Sequence, residues 1–304
     1  MSRNVVQVEI EGRRLQLSNL DKLMWPKAGF TKAHVIDYYT RVAPALLPHL
    51  EGRALTLKRY PDGVDGPFFY EKSCPTHRPR WVRTAGVFSE TRGGDIDFCV
   101  VDDLPTLVWT ANLADLELHT YLARAEDPQT PTAMVFDLDP GPGTDIVDCA
   151  DVALTLRRML RDLSLESFAK TSGSKGMQLY VPLNTPTSYE ETKPLARALG
   201  EIVEREDPQR ITTNMKKAER EGRVLVDWSQ NDDHKTTVCV YSLRAREQPT
   251  VSTPLTWKEV DEITRARDAS LARFLPEDVL SRIAQHGDLF EPVLTRKQAL
   301  PVLV

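Results

Sequence analysis

The stretch that decides the fold is Thr132-Ala-Met-Val-Phe-Asp137-Leu-Asp139-Pro-Gly141, an apolar run that ends in two carboxylates spaced i, i+2. Such a run predicts a buried β-strand, and in a strand this spacing puts both carboxylates on one face. Carboxylates held so close repel each other and raise each other's pKa unless a cation lies between them. The pair therefore points to a metal site. A solvated acidic turn that closes the strand is the alternative.

The composition of the 304-residue chain is that of an ordinary soluble globular protein, with 41% hydrophobic and 27% charged residues. No apolar run reaches the roughly 18 to 20 residues of a membrane span, and the N-terminus lacks the apolar region of a signal peptide. We therefore expect a cytoplasmic protein without a membrane partner. The four cysteines stand singly, which favours reduced thiols. Cys74 and His77 form a lone C-x-x-H without a second ligand pair for zinc.

Charge is distributed unevenly along the chain. Residues 1–85 hold fourteen Lys and Arg against eight Asp and Glu, a net charge of +6, and the remaining 219 residues carry −11, for an overall −5. A basic portion joined to an acidic one would let one region hold phosphates while the other holds metal ions. Ordinary variation of surface charge is the alternative interpretation.

Helix and strand signals alternate without repeats, low-complexity segments or a convincing linker, which predicts an α/β (α+β) chain that forms one composite domain. Helices are predicted over about residues 31–47, after Asp102 or Asp103, from Thr144 or Asp145 through Leu163, from the Ser188 capping box toward Glu206, from the Thr256 capping box, and from Pro276. Pro44 is expected to kink or shorten the last turn of the first helix. Strands are predicted at residues 5–11, 14–17, 167–170, 177–182, 223–227 and 237–241.

A second apolar strand delivers a third carboxylate. Arg223-Val-Leu-Val-Asp227 repeats the opening pattern of an apolar strand followed by an acid. If the two strands are neighbours, Asp137, Asp139 and Asp227 converge. Three carboxylates from two strands are the usual scaffold for two divalent cations in phosphoryl transfer. A strand-ending turn is the alternative for Asp227 alone.

Three further features could contact phosphate groups. Thr171-Ser-Gly-Ser-Lys175-Gly176 joins two predicted strands and can turn backbone N–H groups and a lysine toward a phosphate, although it lacks the spacing of a Walker loop. A glycine hairpin with an exposed lysine is the alternative. Arg244 and His119 are additional candidates, although a lone histidine after an apolar run is more often a structural residue.

The basic portion combines cations with aromatic side chains. Lys58 and Arg59 precede Phe68, Phe69 and Tyr70 in the sequence. Aromatic faces stack on bases while cations hold the phosphate backbone, an arrangement typical of single-strand binding. A core strand is the alternative. Three consecutive aromatics cannot all face one core, so we expect at least one exposed ring.

The order of these motifs closely resembles the polymerase module of bacterial DNA ligase D, which belongs to the archaeo-eukaryotic primase superfamily and serves in non-homologous end joining. The resemblance extends from about residue 15 to residue 290. It rests on Asp21-Lys22, Phe30-Thr-Lys32, Gly63-Val-Asp-Gly-Pro-Phe-Phe-Tyr-Glu-Lys72, Val135-Phe-Asp-Leu-Asp-Pro140, Thr171-Ser-Gly-Ser-Lys-Gly176, Val226-Asp-Trp-Ser-Gln-Asn231 and Tyr241-Ser-Leu-Arg244. The chain looks like a stand-alone member, since no ligase or nuclease module is attached.

The resemblance implies a primase-like catalytic core with an RRM-like sheet and an N-terminal α/β portion, with mixed sheets flanked by helices. It implies a single domain over residues 1–304. Within it we expect a basic portion that binds DNA ends and template at 1–100, a catalytic core at 101–250 and a helical portion at 251–304.

The resemblance also implies the site residues. Asp137, Asp139 and Asp227 match a catalytic triad that binds two Mn²⁺ or Mg²⁺ ions, where a primer 3′-hydroxyl attacks the α-phosphorus of a nucleoside triphosphate. The positions that match the grip on the nucleotide are Ser172, Lys175, Arg244 and His119, with Gln230 and Lys235 nearby in the same motif. Lys22 and Lys32 match contacts to a downstream 5′-phosphate. Phe69 and Tyr70, with the adjacent Phe68, match contacts to the template, as does Arg220 of a mobile loop. We expect Lys58 and Arg59 to contact DNA as well.

The implied function is template-directed nucleotidyl transfer by a primase-polymerase that extends primers across short gaps or at break ends during DNA repair. The expected partners are DNA with a gap or a 3′-protruding end and a downstream 5′-phosphate, NTPs or dNTPs, a separate DNA ligase and an end-binding protein such as Ku. We expect the protein in the cytoplasm, associated with the nucleoid.

Two alternative functions use the same residues. A two-metal nuclease or phosphodiesterase would have little need for a triphosphate grip, so Lys175 with Arg244 argues against it. A catalytically silent DNA-end-binding module would tolerate the loss of an acidic residue, so the complete triad argues against that function.

Overall fold

Twenty β-strands, seven α-helices and four short 3-10 helices form the regular structure of residues 5–90 and 92–301, the part of the chain that this computed structural model describes. This mixture confirms the predicted α/β class. The helices are α1 Lys32–Leu50, α2 Leu104–Asn112, α3 Ile146–Asp162, α4 Tyr189–Glu206, α5 Trp257–Ala266, α6 Pro276–His286 and α7 Pro292–Thr295. The strands are β1 Val5–Ile10, β2 Arg13–Ser18, β3 Leu23–Trp25, β4 Phe30–Thr31, β5 Ala54–Arg59, β6 Phe69–Glu71, β7 Thr84–Ser89, β8 Gly94–Val100, β9 Asp115–Thr120, β10 Ala123–Arg124, β11 Asp127–Pro131, β12 Ala133–Pro140, β13 Phe168–Thr171, β14 Met177–Pro182, β15 Ile211–Thr212, β16 Val224–Asp227, β17 Thr237–Val238, β18 Leu243–Ala245, β19 Pro249–Val251 and β20 Pro254–Leu255.

The chain divides into two compact units, each with a six-stranded sheet. The first unit comprises residues 5–126, 236–251 and 275–287, and the second comprises residues 127–235, 252–274 and 288–301. The predicted single domain with boundaries near 100 and 250 stays a prediction. Its outermost residues, 1–4 and 302–304, lie outside the described part of the chain.

The predicted helix starts are confirmed by their caps. The side chains of Thr31, Asp103, Asp145 and Thr256 each accept a backbone N–H of the first helical turn. At α4 the Glu191 carboxylate accepts the Ser188 N–H, as expected of a capping box. These caps fix where each helix begins.

Helix α1 buries Val35, Ile36, Tyr39, Val42 and Leu46. The helix continues through Pro44 and Pro48 to Leu50, so the predicted shortening of its last turn does not occur. Burial of apolar side chains on both sides of Pro44 stabilises the helix through the proline. By contrast, the strand predicted over 237–241 covers only Thr237–Val238, and Tyr241 has a left-handed φ of 65°.

The sheet of the first unit has the strand order β17-β9-β5-β8-β7, with β6 also paired to β5. Strand β5 is central because it pairs with β9 on one side and with β6 and β8 on the other. All of these pairings are antiparallel. The residues of β5, β6 and β9 therefore lie in register, which places their side chains on defined faces.

The sheet of the second unit has the order β15-β16-β12-β14-β13-β20. Strand β12 lies between the antiparallel strands β14 and β16. Met134, Phe136 and Leu138 of β12 are fully buried in a core with residues of α3 and α4. The alternate residues Asp137 and Asp139 therefore project from the opposite face.

A disulfide joins Cys74 to Cys99, so the prediction of reduced thiols is wrong for this pair. The two residues are 25 positions apart in sequence. The Cys74 N–H donates to the carbonyl of Asp97 on β8, which brings the loop alongside the strand that carries Cys99. Cys149 and Cys239 are free and buried. Among the described residues, no helix is both long and apolar enough to cross a bilayer.

Candidate metal centre and phosphate-binding residues

Three predicted carboxylates come together on one face of the second unit's sheet. Strands β12 and β16 are antiparallel neighbours, with Asp137 directly opposite Asp227. Asp139 is two residues further along β12 and therefore lies on the same face. The condition set for the three carboxylates to converge, that the two strands are neighbours, is therefore met.

Asp137 has a raised pKa because it is buried beside two other carboxylates. Burial, together with the Asp139 and Asp227 carboxylates, raises the pKa of Asp137 well above its usual range. Asp139 is exposed, whereas Asp227 is buried. The carboxylate cluster therefore opens to solvent at Asp139.

Asp227 is held by the short helical turn that follows it. Its Oδ1 accepts the Ser229 N–H at 2.8 Å and the Ser229 hydroxyl at 2.6 Å, and its Oδ2 accepts from Gln230 Nε2 at 3.0 Å. Lys235 Nζ donates to the Ser229 hydroxyl at 3.3 Å. The fully buried Asn231 side chain bonds the backbone of β12 and fixes this turn to that strand. The predicted Gln230 and Lys235 are thus brought to the third carboxylate.

The carboxylate triad fits divalent cations such as Mg²⁺ or Mn²⁺. Its ligands are hard oxygens spread along two paired strands, which suits two ions side by side. A tighter group of ligands, within 4.8 Å of one another, occurs elsewhere among the described residues at Asp232, Asp233 and His234. Asp232 is already bound to Lys193 and Asp233 to Gln129, an ordinary surface arrangement.

Gly176 allows the predicted phosphate loop to lie against β12. A Cβ at this position would come within 2.1 Å of the Leu138 carbonyl oxygen, so the close approach requires glycine. Within the loop, the Ser172 hydroxyl accepts the N–H groups of Ser174 and Gly176, both at 3.2 Å. The Lys175 side chain is exposed. The loop therefore lies over the part of β12 that carries the carboxylates.

The loop that contains Arg220 is anchored at the end of β12. A Cβ on Gly141 would lie 1.7 Å from the Arg220 carbonyl oxygen, and the Gly141 N–H donates to the carbonyl of Arg223. The Arg220 guanidinium donates to the Met215 carbonyl at 2.6 Å within its own loop. The predicted DNA contact of Arg220 stays a prediction.

A buried glutamate, Glu117, organises the candidate residues of the first unit. Its Oε1 accepts from Lys58 Nζ and from the Tyr60 hydroxyl, both at 3.1 Å. Its Oε2 lies 3.2 Å from His119 Nε2 and 3.1 Å from Arg244 Nε. The register explains this cluster, because Lys58 lies opposite Glu117 and His119 follows two residues later on the same face.

Charge compensation keeps Glu117 ionised. Burial favours its neutral form, but the hydrogen bond from His119 and the charges of Arg244 and Lys58 hold the pKa of Glu117 well below its usual range. Burial also lowers the pKa of His119, so its ring is neutral near pH 7. Because a carboxylate only accepts hydrogen bonds, Nε2 of His119 carries the hydrogen and Nδ1 keeps a lone pair.

Sequence reasoning missed Glu117, although a signal was present. Glu117 precedes the predicted His119 by two residues in an apolar strand, the same spacing that marked the Asp137 pair. A buried acid beside a candidate histidine is a natural hydrogen-bond partner for it. The distant partners Lys58 and Arg244 could be assigned only from the strand pairing.

The aromatic triplet is divided between the two faces of β6. Tyr70 lies opposite Lys58, and Phe69 lies opposite Arg59. Successive strand residues point to opposite faces, so Tyr70 and Phe69 do too. Phe68, Phe69 and Tyr70 are 50%, 44% and 55% exposed, which confirms the expectation of an exposed ring.

Tyr70 and Phe68 belong to the Glu117 side of the sheet. The Tyr70 ring centroid lies 5.9 Å from that of His119 and 6.0 Å from that of Phe68. The Lys58 ammonium lies 4.6 Å from the Phe68 centroid and 5.5 Å from that of Tyr70. This side therefore combines cations, a neutral histidine and two partly exposed rings.

The predicted DNA contacts Lys58 and Arg59 are both engaged within the protein. The Lys58 side chain is 11% exposed and paired with Glu117. The Arg59 guanidinium pairs with Glu71 at 2.7 Å and lies 5.3 Å from the Phe69 ring centroid. Their contact with DNA stays a prediction.

Lys22 and Lys32 line one groove of the first unit, with a volume of about 950 Å³. Lys32 is buried, and its Nζ donates to the Ser18 carbonyl at 2.7 Å. Lys22 pairs with Asp62 at 2.8 Å. Burial and the positive charges of Lys22 and Arg59 lower the pKa of Lys32 to about 8. A bound anion would relieve this repulsion between cations.

These features define a class of protein. The sheet presents three carboxylates on one face, and a loop that carries a lysine packs against it through a glycine. This arrangement is typical of metal-dependent enzymes that transfer phosphoryl or nucleotidyl groups. The basic groove and the exposed aromatic rings add surfaces suited to nucleic acid.

The family described as "LigD, primase-polymerase domain" matches residues 31–290. The chain belongs to this family, and it is accordingly a nucleotidyltransferase of the primase-polymerase type. The resemblance inferred from the order of the motifs is confirmed.

Curated relatives agree with this assignment. The multifunctional non-homologous end joining DNA repair protein LigD of Mycobacterium tuberculosis is 42% identical over 287 residues, which is 92% of this chain and 37% of that protein. The bifunctional non-homologous end joining protein LigD of Bacillus subtilis is 33% identical over 275 residues, which is 90% of this chain and 43% of that protein. The chain thus spans well under half the length of these relatives.

A solved structure shows the same fold. The polymerase domain from Mycobacterium tuberculosis ligase D, in complex with DNA, is 39% identical and superposes with a TM-score of 0.86. The match covers 94% of this chain and 99% of that one. The predicted primase-polymerase fold is confirmed.

Proposed function

We propose that this chain adds nucleotides, directed by a template, to a primer 3′ end at short gaps and break ends during non-homologous end joining. The observation that carries the proposal is the position of Asp137 directly opposite Asp227, with Asp139 on the same face. Membership of the primase-polymerase family supports it.

Asp137, Asp139 and Asp227 would hold two divalent cations, Mn²⁺ or Mg²⁺. Such ions, when bound, supply a lowered pKa for the attacking hydroxyl and charge stabilisation for the departing pyrophosphate. The chain keeps the three carboxylates in register through the β12 and β16 pairing. Ser229 and Gln230 further restrict the rotation of the Asp227 carboxylate.

The nucleoside triphosphate would be bound by donors from several segments. In the second unit, Lys175 offers an exposed ammonium, and Ser172 shapes the loop that carries it. Gln230 and Lys235 are weaker candidates because both are engaged around Asp227. We propose NTPs and dNTPs as substrates.

In the first unit, Arg244 and His119 are the proposed nucleotide contacts. Glu117 holds both side chains in place. Nδ1 of the neutral His119 must gain a proton to donate to a phosphate. We therefore expect any phosphate contact through His119 to strengthen as the pH falls.

The proposed DNA contacts lie in the first unit and in the Arg220 loop. The Lys22 and Lys32 groove would hold a downstream 5′-phosphate, since a dianion would offset the repulsion between the two cations. Phe69, with Arg59 beside it, offers a half-exposed ring for stacking. The DNA complex of the similar mycobacterial domain supports DNA as a partner.

The remaining partners follow from the relatives. These are named as end-joining proteins, which supports a DNA ligase and an end-binding protein such as Ku as proposed partners. We propose a cytoplasmic, nucleoid-associated location.

Primer extension on gapped DNA tests the proposal. The substrate carries a labelled primer and a downstream 5′-phosphate, and the reaction contains Mn²⁺ with NTPs or dNTPs. Products that lengthen according to the template are expected. Shortened products in the absence of nucleotides would instead support a nuclease, and binding without any product would support a silent end-binding module.

A further inference from the structure

Lys170 is a fully buried lysine on β13 of the second unit, and the proposed reaction has no use for it. Burial of an ammonium group is costly unless polar groups surround it. Lys170 Nζ donates to Gln178 Oε1 at 2.6 Å and to the Ser252 hydroxyl oxygen at 2.8 Å. The Ser252 hydroxyl in turn donates to the Thr171 carbonyl at 2.9 Å. Lys170 is therefore fixed by neighbours that accept its hydrogens.

The strand register connects Lys170 to the carboxylate triad. Lys170 lies opposite Gln178, Gln178 lies opposite Asp137, and Asp137 lies opposite Asp227. Directly opposed residues of antiparallel strands place their side chains on the same face, with Cβ atoms about 5 Å apart. These four residues therefore form one row of polar side chains across β13, β14, β12 and β16.

Lys170 determines which way the Gln178 amide points. An ammonium group only donates, so Gln178 Oε1 faces Lys170 and its NH₂ group faces the other way. Gln178 lies directly opposite Asp137, and its hydrogen bond lowers the pKa of Asp137, as expected of an NH₂ group that donates to the carboxylate. A reversed amide would place NH₂ against the ammonium and a carbonyl against the carboxylate. Gln178 is 2% exposed, so water has little access to compensate such a reversal.

We propose that Lys170 is a positioning residue for the metal centre, which acts through Gln178 to hold the Asp137 carboxylate in the orientation that binds a divalent cation. The inference rests on the proposed function, in which Asp137 is a metal ligand. Groups that hydrogen-bond to metal ligands usually change metal affinity by 10 to 100-fold when they are removed. Lys170 contacts Gln178, which lies between it and Asp137 in the row of opposed residues. It determines that the NH₂ group of Gln178 faces Asp137.

Mn²⁺ titration of the protein alone tests this inference. The spectrum of free Mn²⁺ in electron paramagnetic resonance gives the bound fraction without nucleotide or DNA. Lys170→Met and Gln178→Met are each expected to weaken Mn²⁺ binding by about 10 to 100-fold. Ser252→Ala is the matched control, because it removes another acceptor of Lys170 and leaves the Gln178 contact, and its affinity is expected to stay within about threefold of the parent.

The double variant Lys170→Met with Gln178→Met tests whether Lys170 acts through Gln178, here called the relay, or whether the two residues act independently. If Lys170 acts only through Gln178, the double variant binds Mn²⁺ no more weakly than Gln178→Met alone. A merely structural role would lower the metal-free melting temperature and leave Mn²⁺ affinity at the parent value. Parent affinity in both single variants, or strictly additive losses in the double variant, would overturn the inference. If Lys170→Met does not fold, parent affinity in Gln178→Met alone overturns it.

Primer extension by the parent chain keeps this inference distinct from the proposed function. If the parent chain binds Mn²⁺ but does not extend primers, the proposed function is contradicted. The relay is then tested by the Mn²⁺ titration alone. A parent chain that extends primers, with variants that bind Mn²⁺ as it does, contradicts the relay alone. A parent chain that does not bind Mn²⁺ contradicts the metal assignment on which both depend.

Discussion

Asp137 and Asp227 lie directly opposite each other on antiparallel strands, so two carboxylates occupy positions where side chains are in closest contact. Like charges at such positions cost stability in the absence of a cation. Burial is the largest cause of the raised pKa of Asp137, and repulsion from the Asp139 and Asp227 carboxylates adds to it. The site is therefore arranged for binding cations at the expense of the metal-free fold.

Asp137→Asn should remove catalysis and stabilise the metal-free protein. Primer extension is expected to fall at least about 100-fold, because a proposed metal ligand is lost. An acid whose folded pKa is raised costs stability above its ordinary pKa, so the gain in the free energy of unfolding should be present at pH 7 to 8 and absent below about pH 4. Thermal unfolding without metal, at both pH values, measures it.

Asp233→Asn is the control for this substitution, because Asp233 is a partly exposed carboxylate outside the triad. It should leave both extension and Mn²⁺ affinity unchanged. Extension retained by Asp137→Asn, or by Asp139→Asn, would reject the metal assignment.

Glu117→Gln should weaken nucleotide binding and the fold together. The substitution leaves Lys58 and Arg244 without a buried countercharge, which should cost about 3 kcal/mol of unfolding free energy. The KM for the nucleotide should rise about tenfold, since His119 and Arg244 lose their common anchor. Chemical denaturation and steady-state kinetics measure the two effects.

The pH dependence identifies Glu117 as the source of this stability. Its folded pKa lies below the ordinary value of 4.5, so its contribution is present above pH 4.5 and is lost as the pH falls further. The difference between parent and Glu117→Gln should therefore shrink in acid. Glu71→Gln, which removes a more exposed ion pair, is the control and should leave the nucleotide KM unchanged.

Phe69→Ala and Tyr70→Ala should have different effects, because the two rings lie on opposite faces of β6. Phe69→Ala should weaken DNA binding by roughly 1 to 3 kcal/mol per stacked base and leave the nucleotide KM near the parent value. Tyr70→Ala should raise the nucleotide KM, since Tyr70 packs against His119. DNA-binding anisotropy and nucleotide titrations distinguish them, and identical profiles for the two variants would contradict this division.

The sequence predicted the carboxylate strand well because its signals are local. Alternation along β12 shows which residues are buried, and the i, i+2 spacing places Asp137 and Asp139 on one face. The start of α1 at Lys32 was likewise predictable, because its cap Thr31 is adjacent in sequence. Such features depend on neighbours within a few residues.

Features that depend on distant pairing could not be predicted in the same way. The Glu117 cluster combines β5, β9 and β18, and Arg244 is remote from Glu117 in sequence. The Cys74–Cys99 disulfide and the Lys170 to Asp227 row also require knowledge of which strands are adjacent. One sequence contains no direct record of register, so these contacts emerge only from the fold.

The preference for a downstream 5′-phosphate should fall as the pH rises through about 8. Lys32 has a lowered pKa of about 8, so its ammonium is charged below that pH and neutral above it. Phosphate binding requires the charged form, and the ratio of affinities for 5′-phosphorylated and 5′-hydroxyl gapped DNA should therefore decline between pH 7 and pH 9. Lys32→Met should bring this affinity ratio close to one at every pH. Lys32→Arg should keep the ratio nearly constant between pH 7 and pH 9, because arginine stays charged.

Lys27→Met is the matched control, since Lys27 is an exposed lysine paired with Glu247 outside the groove. A parent-like ratio in Lys32→Met would show that the groove does not hold the phosphate.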